Sequence, residues 1–305
     1  MTVATNDRRR FVHHLVRAAL LTGFALFIAH LVMQDNLGLY IAPRMATFVK
    51  LSALALYVTA IYQVYAALQA WNGQQAADCG CDHEPPSSIT KNIIVYGLFI
   101  LPLALGFVLP ESTLGSSLAA KKGMTFGGAE TLQASSGGQA TLPAAAMDSS
   151  AGGANALFPY DEYTKSYAAY GKQLVQQPAI DVTDKWFIET LTTIDLYRSA
   201  FQGKTVTVSG FVYRDEAMGS EQFAVSRFAM NCCSADSLPY GLMVKSDQAA
   251  AFQKDTWVSV TGTVEEGSYD GGPILQLNVT RITPIAAPSS PYVYPDYNFD
   301  QQFDS

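Results

Sequence analysis

The sequence contains little charge and few cysteines, and these shortages exclude several classes of protein. Charged residues make up 15% of the 305 positions and hydrophobic residues 49%, whereas an ordinary soluble domain is roughly 25% charged. The net charge of −7 provides no basic excess for phosphate contacts, which argues against a nucleic-acid-binding protein. Four cysteines are too few for a disulfide-rich scaffold. The composition therefore predicts a membrane protein with a soluble part.

Histidine is absent from every position after residue 83. Without it, the C-terminal part cannot use Ser-His-Asp or Cys-His catalysis, or most histidine-based catalytic zinc sites. The sequence also contains no glycine-rich phosphate loop. We therefore predict no catalytic residues and no enzymatic activity, with thiol redox chemistry at Cys232 and Cys233 as the enzymatic alternative.

Three long apolar segments account for the hydrophobic excess: Leu15–Met33, Met45–Leu68 and Ile93–Leu109. A helix of about 20 residues crosses the roughly 30 Å core of a bilayer, so we predict three spanning helices. The third contains Pro102, which membrane helices tolerate; a buried core helix is the alternative for this segment. The first has a basic start but lacks a small-residue cleavage site after its apolar run, so we expect a retained anchor rather than a signal peptide.

The basic residues that flank these segments predict their orientation. Arg8, Arg9, Arg10, Arg17 and Lys91 lie on one side, and Arg44, Lys50, Lys121 and Lys122 lie on the other. Because cytoplasmic flanks carry an excess of Lys and Arg, the N-terminus and the 72–91 loop are expected in the cytoplasm. The chain is then a multi-pass plasma-membrane protein with its C-terminal domain outside the cell.

Composition divides the chain into three parts: a three-helix transmembrane region at 1–122, a flexible linker at 123–156, and a soluble domain with a C-terminal tail at 157–305. The linker is rich in Gly, Ala and Ser, and such a segment buries little apolar surface.

The soluble domain is predicted to be α+β or all-β, an OB-like small barrel with preceding helices. Its helices are expected at Tyr163–Gln177 and Val182–Tyr197, the second capped by Thr183. Five strands follow, with interior glycines that would bend a barrel, at Lys204–Arg214, Gln222–Met230, Tyr240–Lys245, Trp257–Glu265 and Ile274–Ile285. A sandwich is the alternative. The domain carries 18 acidic and 10 basic residues, so it lacks the basic groove of a nucleic-acid-binding barrel.

Ligand-type side chains cluster in the loop between the second and third apolar segments. They are Asp78, Cys79, Cys81, Asp82 and His83. Thiolate and imidazole ligands suit zinc or another borderline metal, so this loop is the first candidate metal site, and His13 or His14 could complete it. The alternatives are a polar hairpin with incidental cysteines, and a histidine pair that contacts lipid headgroups.

A second group of such residues, Cys232, Cys233 and Asp236, follows the second predicted strand. The two cysteines could act as a metal-ligand pair with Asp236, or as a redox-active thiol. The alternative is a pair of small hydrophobic residues in a turn that Asp236 caps.

The order of these features resembles the YcgQ-like family of two-component permease subunits, which have three N-terminal membrane helices and a C-terminal OB-like domain of unknown function. The similar segments are LPESTLGSSLAAKKG, GKTVTVSGFVYR, CSAD, YGLMV and PYVYPDY, beside the Cys/His/Asp loop and the proline-containing third helix. The resemblance implies a larger multi-span permease as partner, and a link to divalent metal, with zinc as the metal.

Carried over to this chain, the family's metal-type loop falls on Cys79, Cys81 and His83, and its barrel motif falls on Cys233, Ala235, Asp236 and Gly241. Family loops can be much richer in histidine, and Cys232 stands where a histidine is expected. Three spans with almost no charge cannot readily line an ion path by themselves. We therefore predict an accessory, non-pore permease subunit; the alternative is a membrane-anchored extracellular ligand-binding module without a transport role.

Overall fold

The computed structural model describes residues 2–72, 88–109, 115–126 and 157–303. The chain forms two compact units, Met1–Ser112 and Thr113–Ser305. The border therefore precedes residue 122, where composition placed the end of the membrane region.

In the described part of the N-terminal unit there are three long helices, α1 (Thr2–Met33), α2 (Pro43–Trp71) and α3 (Ile89–Val108), with a 3-10 turn at Leu37–Leu39. All three are long and apolar enough to cross a membrane, which confirms the three predicted apolar helices. Pro43 lies in the first turn of α2, where a missing N–H costs nothing. Pro102 lies inside α3 without ending it.

Small residues let the helices of this unit approach each other closely. A side chain at Gly23 or at Gly106 would collide with Leu103 or with Phe27, respectively, so α1 and α3 meet where glycine leaves room, as membrane helices commonly do. Buried alanines likewise leave room for α1 and α2 to approach each other closely. They are Ala18, Ala25, Ala60, Ala66, Ala67 and Ala70.

The described helices of the C-terminal unit are short. They are α4 (Ser116–Lys122), α5 (Lys165–Leu174), α6 (Phe187–Leu196), α7 (Arg198–Phe201) and α8 (Phe299–Phe303). The prediction of one helix over Val182–Tyr197 is wrong in its first part, because Val182 ends a strand. Thr183 donates its hydroxyl proton to the carbonyl of Lys185 instead of capping a helix. Trp186, with a φ of 61°, turns the chain into α6.

Eight strands among the described residues form a mixed sheet, which confirms the sheet-rich C-terminal domain. The five predicted strands correspond to β3 (Thr205–Tyr213), β4 (Gln222–Ala229), β5 (Leu238–Lys245), β6 (Trp257–Tyr269) and β7 (Gly272–Pro284). Three shorter strands were not predicted from the sequence: β1 (Thr125–Phe126), β2 (Ala179–Val182) and β8 (Tyr292–Val293).

The order in which the long strands pair leads from β3 back to β3. β3, β4 and β5 pair antiparallel in that order, β5 pairs parallel with β7, and β6 pairs antiparallel with both β7 and β3. The β6–β7 register shifts between Thr261 and Gly262, which marks a bulge. A Cβ at Gly262 would lie 2.5 Å from the carbonyl oxygen of Asn278, so this position requires glycine.

One apolar core joins the sheet to α5, α6, α7 and α8. Its largest fully buried side chains include Phe158, Phe187, Phe201, Phe223 and Leu191. β4 and β5 both contribute to this core, so both ends of the loop that joins them are held in place. This loop carries Cys232 and Cys233.

Candidate functional site

The loop between β4 and β5 brings Cys232, Cys233 and Asp236 together. Met230, at the start of the loop, is fully buried and donates its backbone N–H to the carbonyl of Val293 at 2.9 Å. At the other end Ser237 is also fully buried, and its hydroxyl donates to the carbonyl of Ser234 at 2.7 Å. The backbone of the loop is therefore held at both ends, while both cysteines remain partly exposed.

The carboxylate of Asp236 organises the turn. One of its oxygens accepts the backbone N–H of Cys232 at 2.7 Å, and the other accepts those of Asn231 at 3.1 Å and Cys233 at 3.4 Å. The two sulfur atoms lie 3.6 Å apart. One ligand atom from each of Cys232, Cys233 and Asp236 lies within 4.8 Å of the others.

The carboxylate also controls the protonation of the neighbouring thiol. Hydrogen bonding to Asp236 and to Cys233 raises the pKa of Cys232 to about 12. Partial burial acts to raise the pKa of Asp236, but the hydrogen bonds from the Cys232 thiol and the three backbone N–H groups outweigh it and hold this pKa below its usual value. Near neutral pH the site therefore contains a protonated Cys232 and a charged carboxylate.

These protonation states bear on the two chemistries expected of the cysteine pair. Reactive redox thiols have lowered pKa values and electropositive surroundings, and Cys232 has the opposite. Two sulfurs and one carboxylate oxygen are donors that zinc and other thiophilic cations accept. A bound cation would displace the thiol protons and would share Asp236 with the backbone N–H groups. The donor set thus fits a cation, and the same carboxylate caps the turn.

The other predicted metal ligands, Asp78, Cys79, Cys81, Asp82 and His83, lie outside the described residues. The two histidines considered as additional ligands are each hydrogen bonded to another helix. Nδ1 of His13 lies 2.6 Å from the hydroxyl oxygen of Tyr96 in α3, and Nδ1 of His14 lies 2.7 Å from Oε1 of Gln63 in α2.

A lysine whose role the sequence did not reveal holds the β4–β5 loop. Lys122, in α4, donates to the carbonyl oxygens of Ala235 at 3.0 Å and Ser237 at 2.6 Å. From the sequence alone, Lys122 is only a charge that flanks a membrane span. No local pattern could have revealed its role, because its partners lie more than a hundred residues further along the chain.

A separate polar cavity of about 330 Å³ lies where β4 begins and β5 ends, beside the β6–β7 hairpin. Gln222, Lys245 and Gln276 contribute to its lining. The side-chain amide of Gln276 donates to Glu265 at 2.7 Å, and that of Gln222 donates to Gln276 at 3.1 Å. Glu221 also lines this cavity, but Cys232, Cys233 and Asp236 do not.

Comparison with known proteins identifies relatives along most of the chain. The model of the DUF1980 N-terminal domain matches residues 16–125, and the model of the DUF1980 C-terminal domain matches residues 157–295. The UPF0703 protein YcgQ of Bacillus subtilis is 28% identical over 297 residues, which cover 92% of this chain and 99% of the relative. A Streptococcus mutans protein named "Putative two-component membrane permease complex subunit" is 24% identical over 288 residues, with 92% and 99% coverage.

Proposed function

The chain belongs to the family that carries the DUF1980 N-terminal and C-terminal domains, and from this premise we propose that it is an accessory, non-pore subunit of a membrane permease complex. The observation that carries the proposal is the full-length similarity to the Streptococcus mutans protein, whose name describes such a subunit. The match covers membrane helices and C-terminal domain together, so the proposal concerns the whole chain.

The hydrogen bonds of the N-terminal unit support a non-pore role. His13 and His14 are bonded to Tyr96 and Gln63 of neighbouring helices. In α2, the hydroxyls of Ser52 and Thr59 donate to carbonyls of their own helix. Polar groups that are satisfied in this way stabilise a small bundle. A conducting path needs polar or charged groups that face water, so we propose that a larger multi-span partner provides the path.

Purification of the tagged full-length chain in mild detergent tests this proposal. We expect a larger multi-span membrane protein to co-purify at constant stoichiometry. A tagged fragment of residues 113–305, which lacks the three helices, is the control for binding through the soluble part. If the full-length chain emerges alone after chemical cross-linking in the intact membrane, the accessory-subunit proposal is wrong.

We propose the orientation predicted from the flanking charges, with the N-terminus and the 72–91 loop in the cytoplasm and the C-terminal domain outside the cell. Single reporter cysteines at Ser87 and Ser268, in a chain whose four native cysteines are changed to serine, test this orientation. An impermeant maleimide should label S268C in intact cells, and S87C only after permeabilisation. The reverse pattern would overturn the orientation.

We also propose a link to divalent-metal handling, with zinc as the first candidate. The support is the donor chemistry at Cys232, Cys233 and Asp236 and the Cys/His pattern at Cys79 and Cys81. Metal analysis of the purified chain should find bound zinc. The C79S/C81S and C232S/C233S variants then assign the metal to one site, each serving as the control for the other. Equal metal content in the wild type and both variants would contradict the proposal.

The order of strand pairing supports the finer proposal that β3–β7 form an OB-like barrel, since the pairing path returns to β3. OB barrels bind ligands through strands and loops near the second and third strands. This gives the alternative function, an extracellular ligand-binding module, a specific location at the cavity beside Gln222 and Gln276. A small solute that binds the 113–305 fragment and is lost on Q276A would favour the alternative.

A further inference from the structure

The segment that follows α3 is attached to the β-rich part of the C-terminal unit by three separate sets of contacts. We call residues 115–126 the strap, and residues 157–303 the β-domain. We infer that the strap fastens the β-domain to the chain directly after the third membrane helix, so that the Gly-, Ala- and Ser-rich segment is not the link between membrane helices and β-domain.

The first attachment is a charged cap on the short helix of the strap. Asp255 accepts the backbone N–H of Ser116 at 2.6 Å and its hydroxyl proton at 2.8 Å. Ser116 is 5% exposed, so these hydrogen bonds are largely shielded from water. Charge-assisted hydrogen bonds of this kind are stronger than neutral ones.

The second attachment is Lys122, whose ammonium group donates to the carbonyl oxygens of Ala235 and Ser237. These carbonyls belong to the loop that carries Cys232, Cys233 and Asp236. The neighbouring Lys121 is exposed, so the two adjacent lysines differ in their environment and provide a matched pair for mutation.

The third attachment is the two-residue strand β1. It pairs parallel with β5, Thr125 opposite Tyr240 and Phe126 opposite Gly241. β7 pairs with β5 only from Met243 onward, so β1 occupies the part of that edge which β7 leaves open. An uncovered edge would expose backbone hydrogen-bonding groups to other chains.

Side chains strengthen this strand pairing. The hydroxyl of Ser226 donates to the sulfur of Met124 at 3.5 Å. The ring of Phe126 lies 4.8 Å from that of Tyr269, centroid to centroid. The Met124 side chain also fits against Gly241, where an added Cβ would lie 2.9 Å from its terminal methyl carbon.

These attachments determine which stretch of chain joins the two units. The strap begins seven residues after α3 ends at Val108. The 127–156 segment starts after the strap and ends at the β-domain, so both of its ends are attached to the same unit. Cutting it should therefore leave the β-domain held by noncovalent contacts.

A specific protease site placed between residues 127 and 156 of the full-length chain tests this inference. After complete cleavage in mild detergent, we expect the 157–305 fragment to elute with the membrane fragment on gel filtration. S116A combined with K122A should accelerate its release about tenfold or more, because three hydrogen bonds are lost. K121A should behave like the wild type. Immediate release from the cleaved wild type would overturn the inference.

Two further measurements show whether the variants stay folded and whether the fragment exchanges between copies of the chain. Hydrogen exchange of the uncut chain should show protected backbone amides at Thr125–Phe126 and Tyr240–Gly241, and S116A/K122A should lose protection there while β3 and β6 keep theirs. Mixing tagged cleaved protein with untagged protein should transfer no fragment. If the 157–305 fragment moves to the untagged protein as soon as the two are mixed, the strap binds a second copy of the chain and the inference is wrong.

Discussion

The buried carboxyl of Glu189 accepts the backbone N–H of Asp296 at 2.7 Å through Oε1, while its Oε2 has no hydrogen-bond partner among the residues that the structure describes. Glu189 is 3% exposed. Burial raises its pKa above the usual value, the hydrogen bond from Asp296 opposes that shift, and the nearby charge of Asp296 adds to it. Glu189 thus links α6 to the C-terminal segment, and its buried carboxyl resists ionisation.

This carboxyl should make stability depend on pH. The folded state holds its proton more tightly than the unfolded state does, so the free energy of unfolding should fall as pH rises above about 4.3, the value for free glutamate. The fall should end above the raised pKa of the folded state. E189Q should remove this dependence, so its free energy of unfolding should exceed that of the wild type by more at pH 8 than at pH 4.

Denaturant unfolding of a 113–305 fragment at several pH values, followed by tryptophan fluorescence, measures this difference. E266Q, at an exposed position, is the control and should keep the wild-type dependence. An E189Q curve that runs parallel to the wild type would contradict the prediction.

Arg227 should contribute more to stability than its ion-pair partner does. The guanidinium is buried and donates to Asp184 at 2.8 Å and to the carbonyls of Ser290, Pro291 and Tyr292. The side chain of Asp184 is 69% exposed, so D184A should cost less than about 1 kcal/mol. R227K keeps the charge but loses the planar fork, and we expect a loss of about 2 kcal/mol or more in unfolding free energy. Equal losses in the two variants would be inconsistent with this account.

Cys232 should react slowly with alkylating agents near neutral pH, because its pKa is raised to about 12. D236N removes the carboxylate that is the main cause of that shift. The thiolate fraction should rise about tenfold for each unit by which the pKa falls, so iodoacetamide should modify Cys232 faster in D236N than in the wild type at pH 8. Peptide mapping by mass spectrometry separates Cys232 from the cysteines of the 72–91 loop. D247N, at an exposed position, is the control, and an unchanged rate in D236N would refute the assigned cause.

Gly241 should not tolerate a side chain. A Cβ there would overlap the carbonyl oxygen of Val225 and lie 2.9 Å from Cα of Ser226. Since backbone cannot move aside as a flexible side chain can, G241A should lower the unfolding free energy by about 2 kcal/mol or more. Gly272 is the control, because its added Cβ would meet only the carbonyl oxygen of Tyr269 at 3.7 Å. If thermal unfolding shows that G241A is as stable as G272A, then β4 and β5 do not approach each other at Gly241 as closely as these distances indicate.

The sequence determined the elements whose pattern is long enough to be read locally. Apolar runs of 17 or more residues identified α1, α2 and α3. Strand-like runs of six or more residues, from Lys204–Arg214 to Ile274–Ile285, identified the strands from β3 to β7. The grouping of Cys232, Cys233 and Asp236 was also readable, because three residues of one short turn stay close whatever the rest of the chain does.

Only the tertiary structure decided what depends on distant partners. β1 and β8 have two residues each, too few to show a period, and they exist because β5 and β4 offer them hydrogen bonds. Trp186 turns the chain into α6, although the sequence predicted a helix over Val182–Tyr197 with Thr183 as its cap. The attachments of Ser116 to Asp255 and of Lys122 to Ala235 join residues more than a hundred positions apart. Such pairs are fixed by how the whole domain packs, which no local pattern contains.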